Sequence, residues 1–171
     1  VHNAVRAINS MDSAENNQLQ ENRTDFLECL RLIERLHRRI LDILKFRLEA
    51  LGYTDINSVQ ALLLHNIGDR EMTAGELRTR GYYLGSNVSY NLKKMVGNGY
   101  IKQERSEHDL RSVRIKLSQK GMAIHKLTSE LFDQHLEEIN AEQIFASDDL
   151  SRLRVDLRQL ETFWDRQISC Y

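Results

Sequence analysis

The sequence has no proline, two cysteines and no long apolar run, and each shortage limits what the chain can be. Proline interrupts helices because it lacks a backbone donor and clashes with the preceding turn, so its absence permits long unbroken helices. The longest clean apolar run, Ala61 to Leu64, is far too short to cross a membrane. The opening stretch, Val1 to Met11, lacks the apolar segment of a signal peptide. Met11 is a candidate first residue, preceded by an upstream extension or a remnant of cloning.

Cys29 and Cys170 are too few for a disulfide scaffold, which is typical of a protein in the reducing cytoplasm. Cys29 falls in the apolar region of a predicted helix. Its pattern favours a small buried hydrophobic residue over a redox sensor.

Motifs that carry enzyme chemistry are absent. The six histidines show no metal-ligand spacing, and no glycine-rich phosphate loop or nucleophile elbow occurs. We therefore expect no metal, no cofactor and no enzymatic activity. The alternative of a small hydrolase would require a convergent polar pocket.

Charge is distributed unevenly along the chain. Among 171 residues, 29% are charged and 41% hydrophobic, which is typical of a globular domain with a proper core. From Thr73 to Lys120 there are ten basic and four acidic residues, a net +6, whereas the formal total is −1. A basic middle between acidic ends indicates that the middle faces a polyanion. An ordinary solvated surface is the alternative.

Apolar spacing predicts helices at both ends of the chain. Residues 1–22 are polar and predicted to form a flexible tail. From Thr24, apolar residues recur at three- and four-residue steps on one face of a long helix that ends at Gly52. A second helix follows Asp55. The stripe comprises Phe26, Leu30, Ile33, Leu36, Ile40, Leu44, Leu48 and Leu51.

The middle of the chain reads as two short helices followed by a hairpin. Thr73 and Glu76 form a capping box for a third helix that stops at Gly81, and a fourth helix runs from about Ser86 to Asn98. Residues 100–105 and 112–117 alternate as two strands around a charged tip, and a further short strand is expected around Met72 without any marker. Ser118 caps a fifth helix, and a sixth begins near Ser147. The predicted fold class is mainly α with a small β-hairpin, a winged helix-turn-helix with long N- and C-terminal dimerisation helices.

The outward side of the fourth helix has a composition that suits the major groove of DNA. Asparagine can pair with adenine edges and serine can read several bases, while lysine near the C-terminal end suits phosphates. A solvated amphipathic helix is the alternative. The predicted contacts are Ser86, Asn87, Ser89, Tyr90, Asn91, Lys93 and Lys94.

A basic hairpin directly after such a helix suits a minor groove or the flanking backbone, and favours DNA over the alternative. The predicted wing residues are Arg105, His108, Asp109, Arg111 and Arg114.

The stretch TAGELRTRGYYLGSNVSYNLKKMVGNGYIKQERSEHDLRSVRIKLSQKG resembles the DNA-binding segment of the MarR family of transcriptional regulators. The family pattern of a helix, Gly-Tyr-Ile, a wing Asp-x-Arg and Leu-Ser-x-x-Gly falls on residues 99–101, on Asp109 and Arg111, and on Leu117, Ser118 and Gly121. Through GELRTRGYYLGSNVSYNLKK the chain also resembles an alphaproteobacterial branch typified by an L,D-transpeptidase regulator. That branch would imply genes of cell-wall remodelling or stress tolerance.

The wing departs from the family at one position. Relatives often carry Asp-Arg-Arg, whose middle arginine enters the minor groove, whereas this chain has Asp109-Leu110-Arg111. Asp109 and Arg111 can still pair and stiffen the wing. Arg105, His108 and Arg114 are candidates to compensate for Leu110, and an apolar wedge role for Leu110 is the alternative.

The predicted division of the chain is a tail (1–22), a helical dimerisation region (23–52 and 122–171) and a DNA-binding lobe (53–121). One recognition helix makes little contact, so we expect a homodimer that reads two half-sites roughly 34–36 Å apart. The alternative is that the terminal stripes serve only the intrachain core. The resemblance also implies a small-molecule effector pocket, with candidates Arg39, Phe46, Leu62, Leu64 and His65, each of which an ordinary structural role would equally explain.

The sequence therefore predicts a regulator, a repressor or a dual regulator, that binds a pseudo-palindromic operator in double-stranded DNA and responds to a ligand. The alternative is a winged-helix module whose basic face contacts an acidic protein partner.

Overall fold

The computed structural model describes residues 2–79, 85–105 and 113–170. None of the helices in these ranges is both long and apolar enough to span a bilayer. The elements follow the predicted order of helices and strands. They are α1 (His2–Ala50), α2 (Ser58–Ile67), β1 (Met72–Thr73), α3 (Ala74–Thr79), α4 (Gly85–Gly97), β2 (Ile101–Arg105), β3 (Val113–Leu117), α5 (Gln119–Ala141) and α6 (Asp149–Ile168).

A flexible tail is predicted over residues 1–22, but α1 begins at His2 and residues 2–22 are helical. The polar composition misled the prediction, because no glycine or proline precedes Gly52 and nothing interrupts the backbone hydrogen bonds. The helix ends as predicted at Gly52, which has φ +77°. The Tyr53 amide donates to the Leu48 carbonyl at 3.0 Å, and the Gly52 amide donates to the Glu49 carbonyl at 3.0 Å. This is the Schellman pattern of helix ends.

Three antiparallel strands form one sheet in the order β1-β3-β2. The hairpin pairs Ile101 with Leu117 at one end and Arg105 with Val113 at the other. The strand expected around Met72 is present, and Met72 lies opposite Ile115 on β3. Because β3 is central, it connects the hairpin to the segment that leads into α3.

The core lies between α2, the inner side of α4, the sheet and α5. Its best-buried side chains come from all four, and α2 packs against both α5 and α1. The capping box of α3 is confirmed, since the Glu76 amide donates to the Thr73 hydroxyl at 3.1 Å and the Thr73 amide to the Glu76 carboxylate. The core cluster includes Leu63, Leu64, Ile67, Leu77, Leu92, Met95, Tyr100, Ile115 and Ile124.

The start of α5 lies directly against the start of β2. Ser118 caps α5 by accepting from the Gly121 amide at 3.1 Å, while its own hydroxyl donates to the Gly99 carbonyl at 2.6 Å. The Ser118 amide donates to the Tyr100 carbonyl at 2.9 Å. A Cβ on Gly121 would lie 2.1 Å from that same carbonyl oxygen. The approach is possible only for glycine, which explains the spacing of the Leu-Ser-x-x-Gly segment.

The apolar stripes of α1 and α6 lie mostly at the surface of the protomer. Of the α1 stripe only Leu44 and Leu48 are buried, and α6 buries no residue at all. Cys29 is exposed, so the expectation of a buried small hydrophobic residue at that position was wrong. Its neighbours Phe26 and Ile33 on the same helix are also exposed in the protomer.

Candidate nucleic-acid interface

Helix α4 has one buried and one exposed side. Leu92 and Met95 pack into the core, whereas Tyr90 is 67% exposed and Lys93 and Lys94 are exposed. The helix therefore presents a phenol and two ammonium groups to solvent. Tyr90 and Lys94 are four residues apart, on the same line of the helix.

Ser86, Asn87 and Ser89 lie in the first turns of α4. Positions 87, 90 and 94 are spaced as i, i+3 and i+7, which places the backbone of Asn87 on the line that carries Tyr90 and Lys94. The N-terminal turns of a recognition helix are the part that contacts base edges in helix-turn-helix proteins. The predicted base-reading positions thus occupy the expected part of α4.

Asn91 lies differently from its predicted outward position. It is half-buried, and the Gln60 side-chain amide of α2 donates to its carbonyl oxygen at 3.1 Å. With about 100° per residue, position 91 flanks the side of the helix that carries Leu92 and Met95. This contact could not be predicted from local sequence patterns, because the two partners are 31 residues apart.

The C-terminal end of α4 is held by a polar cluster that the sequence did not predict. Asn98 donates through its side-chain amide to the Asp55 backbone carbonyl at 2.7 Å, and the Tyr100 hydroxyl donates to the Asp55 carboxylate at 2.6 Å. Lys120 bonds the same carboxylate at 2.5 Å and lies 4.1 Å from the centre of the Tyr100 ring. The Lys120 hydrogen bond, followed by that of Tyr100, lowers the pKa of Asp55 below 3.8. Burial, followed by Asp55, raises the pKa of Tyr100.

The wing carries fewer unpaired cations than the charge count suggested. Arg114 on β3 is exposed and lies 3.8 Å from Glu71, and Lys116 lies 2.6 Å from Glu104 and 3.6 Å from Glu71. The hydrogen bond from Glu104 raises the pKa of Lys116. Arg105 is the last residue of β2. His108, Asp109, Leu110 and Arg111 lie outside the described residues, so the predicted pairing at the tip stays a prediction.

The five predicted effector residues differ widely in exposure, and their grouping into one pocket stays a prediction. The Arg39 side chain is exposed and lies 3.7 Å from Asp42, and Phe46 is also exposed. Leu64 is fully buried in the core, whereas Leu62 and His65 are half-buried.

His65 is part of a separate cluster at the α2–α5 contact. Its ring stacks on His125 at 5.3 Å between centroids and meets the edge of Phe132 at 5.1 Å. Its Nδ1 lies 3.3 Å from the Ser129 hydroxyl. The pKa of His65 is lowered below 6.5, mainly because the ring is partly buried and secondly because of the charge of nearby His125.

An apolar groove of about 330 Å³ lies between α1 and α5, next to this cluster. None of the five predicted effector residues lines it. Among the described residues, no three His, Cys, Asp or Glu side chains are grouped to hold a metal ion. The groove is lined by Ile40, Ile43, Phe132, His135, Leu136 and Ile139.

Residues 56–121 match the family model described as a winged helix DNA-binding domain. A curated relative, the exopolysaccharide II synthesis transcriptional activator ExpG of Rhizobium meliloti (strain 1021), is 45% identical over 96 residues. These are 56% of this chain and 50% of the relative, so the chain spans about half the length of the curated relative it matches.

Two solved structures extend the match beyond that domain. FabT of Streptococcus pneumoniae in complex with DNA superposes with a TM-score of 0.67 at 21% identity, over 83% of this chain and 99% of FabT. The reduced form of MarR from E. coli gives a TM-score of 0.58 at 24% identity, over 76% of this chain and 93% of MarR.

Over residues 56–121 the chain is therefore similar to winged helix DNA-binding domains. With its long terminal helices the chain has the same fold as FabT and MarR, which confirms the predicted mainly α winged helix-turn-helix fold and, at the level of the fold, the resemblance to MarR. The assignment to the L,D-transpeptidase regulator branch stays a prediction.

Proposed function

We propose that this protein is a transcriptional regulator that binds a pseudo-palindromic operator as a homodimer, with affinity set by a small-molecule effector. The observation that carries DNA binding is the outward side of α4, where Tyr90, Lys93 and Lys94 are exposed within a winged helix domain. Support comes from a relative named as a transcriptional activator and from a structural neighbour crystallised with DNA. Whether this protein represses, activates or does both stays a prediction.

The residues of α4 divide the work by position. Asn87 and Ser89, in the first turns, read base edges, and Lys93 near the C-terminal end contacts phosphate. Asn87→Ala should reduce the preference for the operator over unrelated duplex. Lys93→Ala should weaken all sequences alike and reduce by about one the slope of log K against log salt concentration.

Fluorescence anisotropy at several salt concentrations separates the two effects. The operator can be selected by the wild-type protein from a random duplex library. Identical behaviour of Asn87→Ala and Lys93→Ala would contradict the division. A wild-type protein that binds no duplex even at low salt would instead favour the alternative, a winged-helix module for an acidic protein partner.

A second copy of the chain is the proposed cover for the exposed stripes. On α1, Phe26, Cys29, Ile33 and Leu36 recur at alternating steps of three and four and are all exposed. On α6, Leu150, Leu153, Leu157, Leu160 and Trp164 follow the same alternation. This alternation is the pattern of helices that pack against helices of another chain. Apolar surface of this extent is rarely left open in a soluble monomer.

Leu157→Glu tests the dimer, with Arg152→Glu as its matched control on the same helix but off the stripe. Leu157→Glu should give a monomer in sedimentation velocity and lose most operator affinity, because the two half-sites are then bound independently. Arg152→Glu should remain dimeric. A dimeric Leu157→Glu protein would contradict the proposed interface.

The effector is proposed to occupy the α1–α5 groove rather than a site made by the five residues that the sequence suggested. Its lining is almost wholly apolar, and α5 packs against α2 of the DNA-binding lobe. A ligand there shifts operator affinity by its differential binding to the two half-site spacings. The probe 1-anilinonaphthalene-8-sulfonate should gain fluorescence on binding and lower operator affinity, and Leu136→Glu should abolish both effects. Unchanged probe binding in Leu136→Glu would place the site elsewhere.

A further inference from the structure

Gln60 is a buried polar side chain whose carbonyl oxygen and amide nitrogen are both hydrogen-bonded. It is 1% exposed, in the first turn of α2. Its side-chain carbonyl oxygen accepts from the backbone amide of Asn57 at 3.2 Å, and the side-chain oxygen of Asn57 accepts from the backbone amide of Gln60 at 2.9 Å. This reciprocal capping box fixes the orientation of the Gln60 side chain. Its remaining amide group points across the core to Asn91 on α4.

Asn91 is the residue after Tyr90, in the middle of α4. The Gln60 nitrogen lies 3.1 Å from the Asn91 carbonyl oxygen, and Asn91 is half-buried. Leu92 and Met95 are the buried side chains among the described positions 90–97 of α4, and their contacts are apolar and therefore have no preferred direction. The amide pair is directional, so it opposes rotation of α4 about its own axis in a way that the apolar contacts cannot.

Small rotations matter at the outer side of the helix. A side chain that ends about 6 Å from the helix axis moves by about 1 Å when the helix rotates by about 10°. A displacement of that size takes a base-edge hydrogen bond out of its distance range, whereas a phosphate contact from a flexible lysine adjusts. At the far end, the bond from Asn98 to the Asp55 carbonyl prevents α4 from sliding along its axis.

We propose that Gln60 is a specificity-determining positioning residue, which sets the rotation of α4 through Asn91 and thereby controls discrimination between operator and unrelated DNA. This inference rests on the proposed DNA-binding function. Gln60 touches no base and contributes nothing to phosphate binding. Asn91 acts as the acceptor of this bond and reads no base, although its residue type suits adenine.

Three variants test the proposal against direct base reading by Asn91. Gln60→Met keeps the length of the side chain and removes its amide. Asn91→Asp keeps the acceptor for Gln60 but cannot donate, so it cannot form the two-bond contact with adenine. Asn91→Leu keeps the shape and removes both groups. The ratio of operator to unrelated-duplex affinity is measured for each, because the added charge of Asn91→Asp repels all duplexes alike and cancels in the ratio.

Gln60→Met and Asn91→Leu should each lower this ratio by about tenfold or more, with the salt slope unchanged, and Asn91→Asp should leave the ratio near wild type. A normal ratio in Gln60→Met, or a ratio lost in Asn91→Asp, would overturn the proposal. Should Gln60→Met fail to fold, the Asn91→Leu and Asn91→Asp pair decides alone, since both keep the capping box.

Leu131→Ala is the control for general destabilisation. Leu131 is buried on α5, outside the core cluster that contains Leu92 and Met95 of α4. This variant should unfold at lower urea concentration yet keep the ratio of operator to unrelated-duplex affinity. If the ratio falls as much as in Gln60→Met, the loss of stability alone explains the effect. If the wild-type protein shows no preference for the operator, the proposed function itself is wrong. If the wild-type protein prefers the operator and the variants keep the same affinity ratio, only the proposed role of Gln60 is wrong.

Discussion

Gly121→Ala is the substitution for which the structure predicts the largest local conflict. The new Cβ would lie 2.1 Å from the Tyr100 carbonyl oxygen, 3.2 Å from its carbon and 3.3 Å from the Leu117 Cβ. Carbon and oxygen normally approach to about 3.3 Å, so α5 and β2 must separate by about 1 Å. This movement strains the bonds by which Ser118 holds the Tyr100 and Gly99 carbonyls.

The cost can be worked out from these contacts. Overpacking costs about 1–3 kcal/mol, and each weakened hydrogen bond about 1 kcal/mol. The better helix propensity of alanine returns up to about 1 kcal/mol. We expect Gly121→Ala to lower the free energy of unfolding by about 2–5 kcal/mol, which for a urea dependence of about 2 kcal/mol per M moves the unfolding midpoint down by about 1–2.5 M.

Gly97→Ala is the matched control, because nothing lies within 4 Å of a Cβ at this helical position. It should stabilise the protein by up to about 1 kcal/mol. Both variants are followed by circular dichroism in urea at one protein concentration, since the proposed dimer would make the midpoint depend on concentration. A Gly121→Ala midpoint at or above that of wild type would refute the claim that the backbone here cannot move aside.

Two further predictions concern pH. The pKa of His65 in the folded protein is lowered below 6.5, so at lower pH the unfolded chain binds a proton more readily than the folded chain. The free energy of unfolding therefore decreases as pH falls below 6.5. His65→Phe should flatten this fall in urea titrations between about pH 5 and 7, and an unchanged pH dependence would contradict it. Because the pKa of Asp55 is lowered below 3.8, its stabilising effect is present above 3.8 and lost as pH falls through the folded-state pKa. Lys120→Met removes the hydrogen bond that lowers the pKa of Asp55 most, so it should raise the pH midpoint of acid unfolding. Lys126→Met is the control and should leave this midpoint unchanged.

Features that depend on neighbours in sequence were predictable. The Thr73–Glu76 capping box, the Ser118 cap and the end of α1 at Gly52 are each decided within four residues. The order of helices and strands follows from such signals and from apolar spacing. The helical start of α1 was missed because its polar residues carry no apolar stripe, although nothing in them breaks a helix.

Features that depend on distant partners were not predictable. The inward contact of Asn91 needs Gln60 on another helix, and the pairing of Asp55 with Lys120 joins residues 65 positions apart. The identities of Asn91 and Asp55 alone do not indicate which distant residue each will contact. Glu71 was overlooked because the two-residue strand β1, which brings it beside β3, has no sequence pattern of its own.

Glu71 has a consequence for the energetics of the proposed complex. A phosphate that approaches Arg114 or Lys116 meets a cation whose counter-charge is already supplied by the protein. The arriving phosphate still releases the cations condensed on the DNA, but it must also break an existing ion pair with Glu71, so the net electrostatic gain at these two positions is smaller. Glu71 therefore competes with phosphate for these two cations, which lowers the affinity for DNA of any sequence and leaves a larger share of the binding free energy to the contacts of α4.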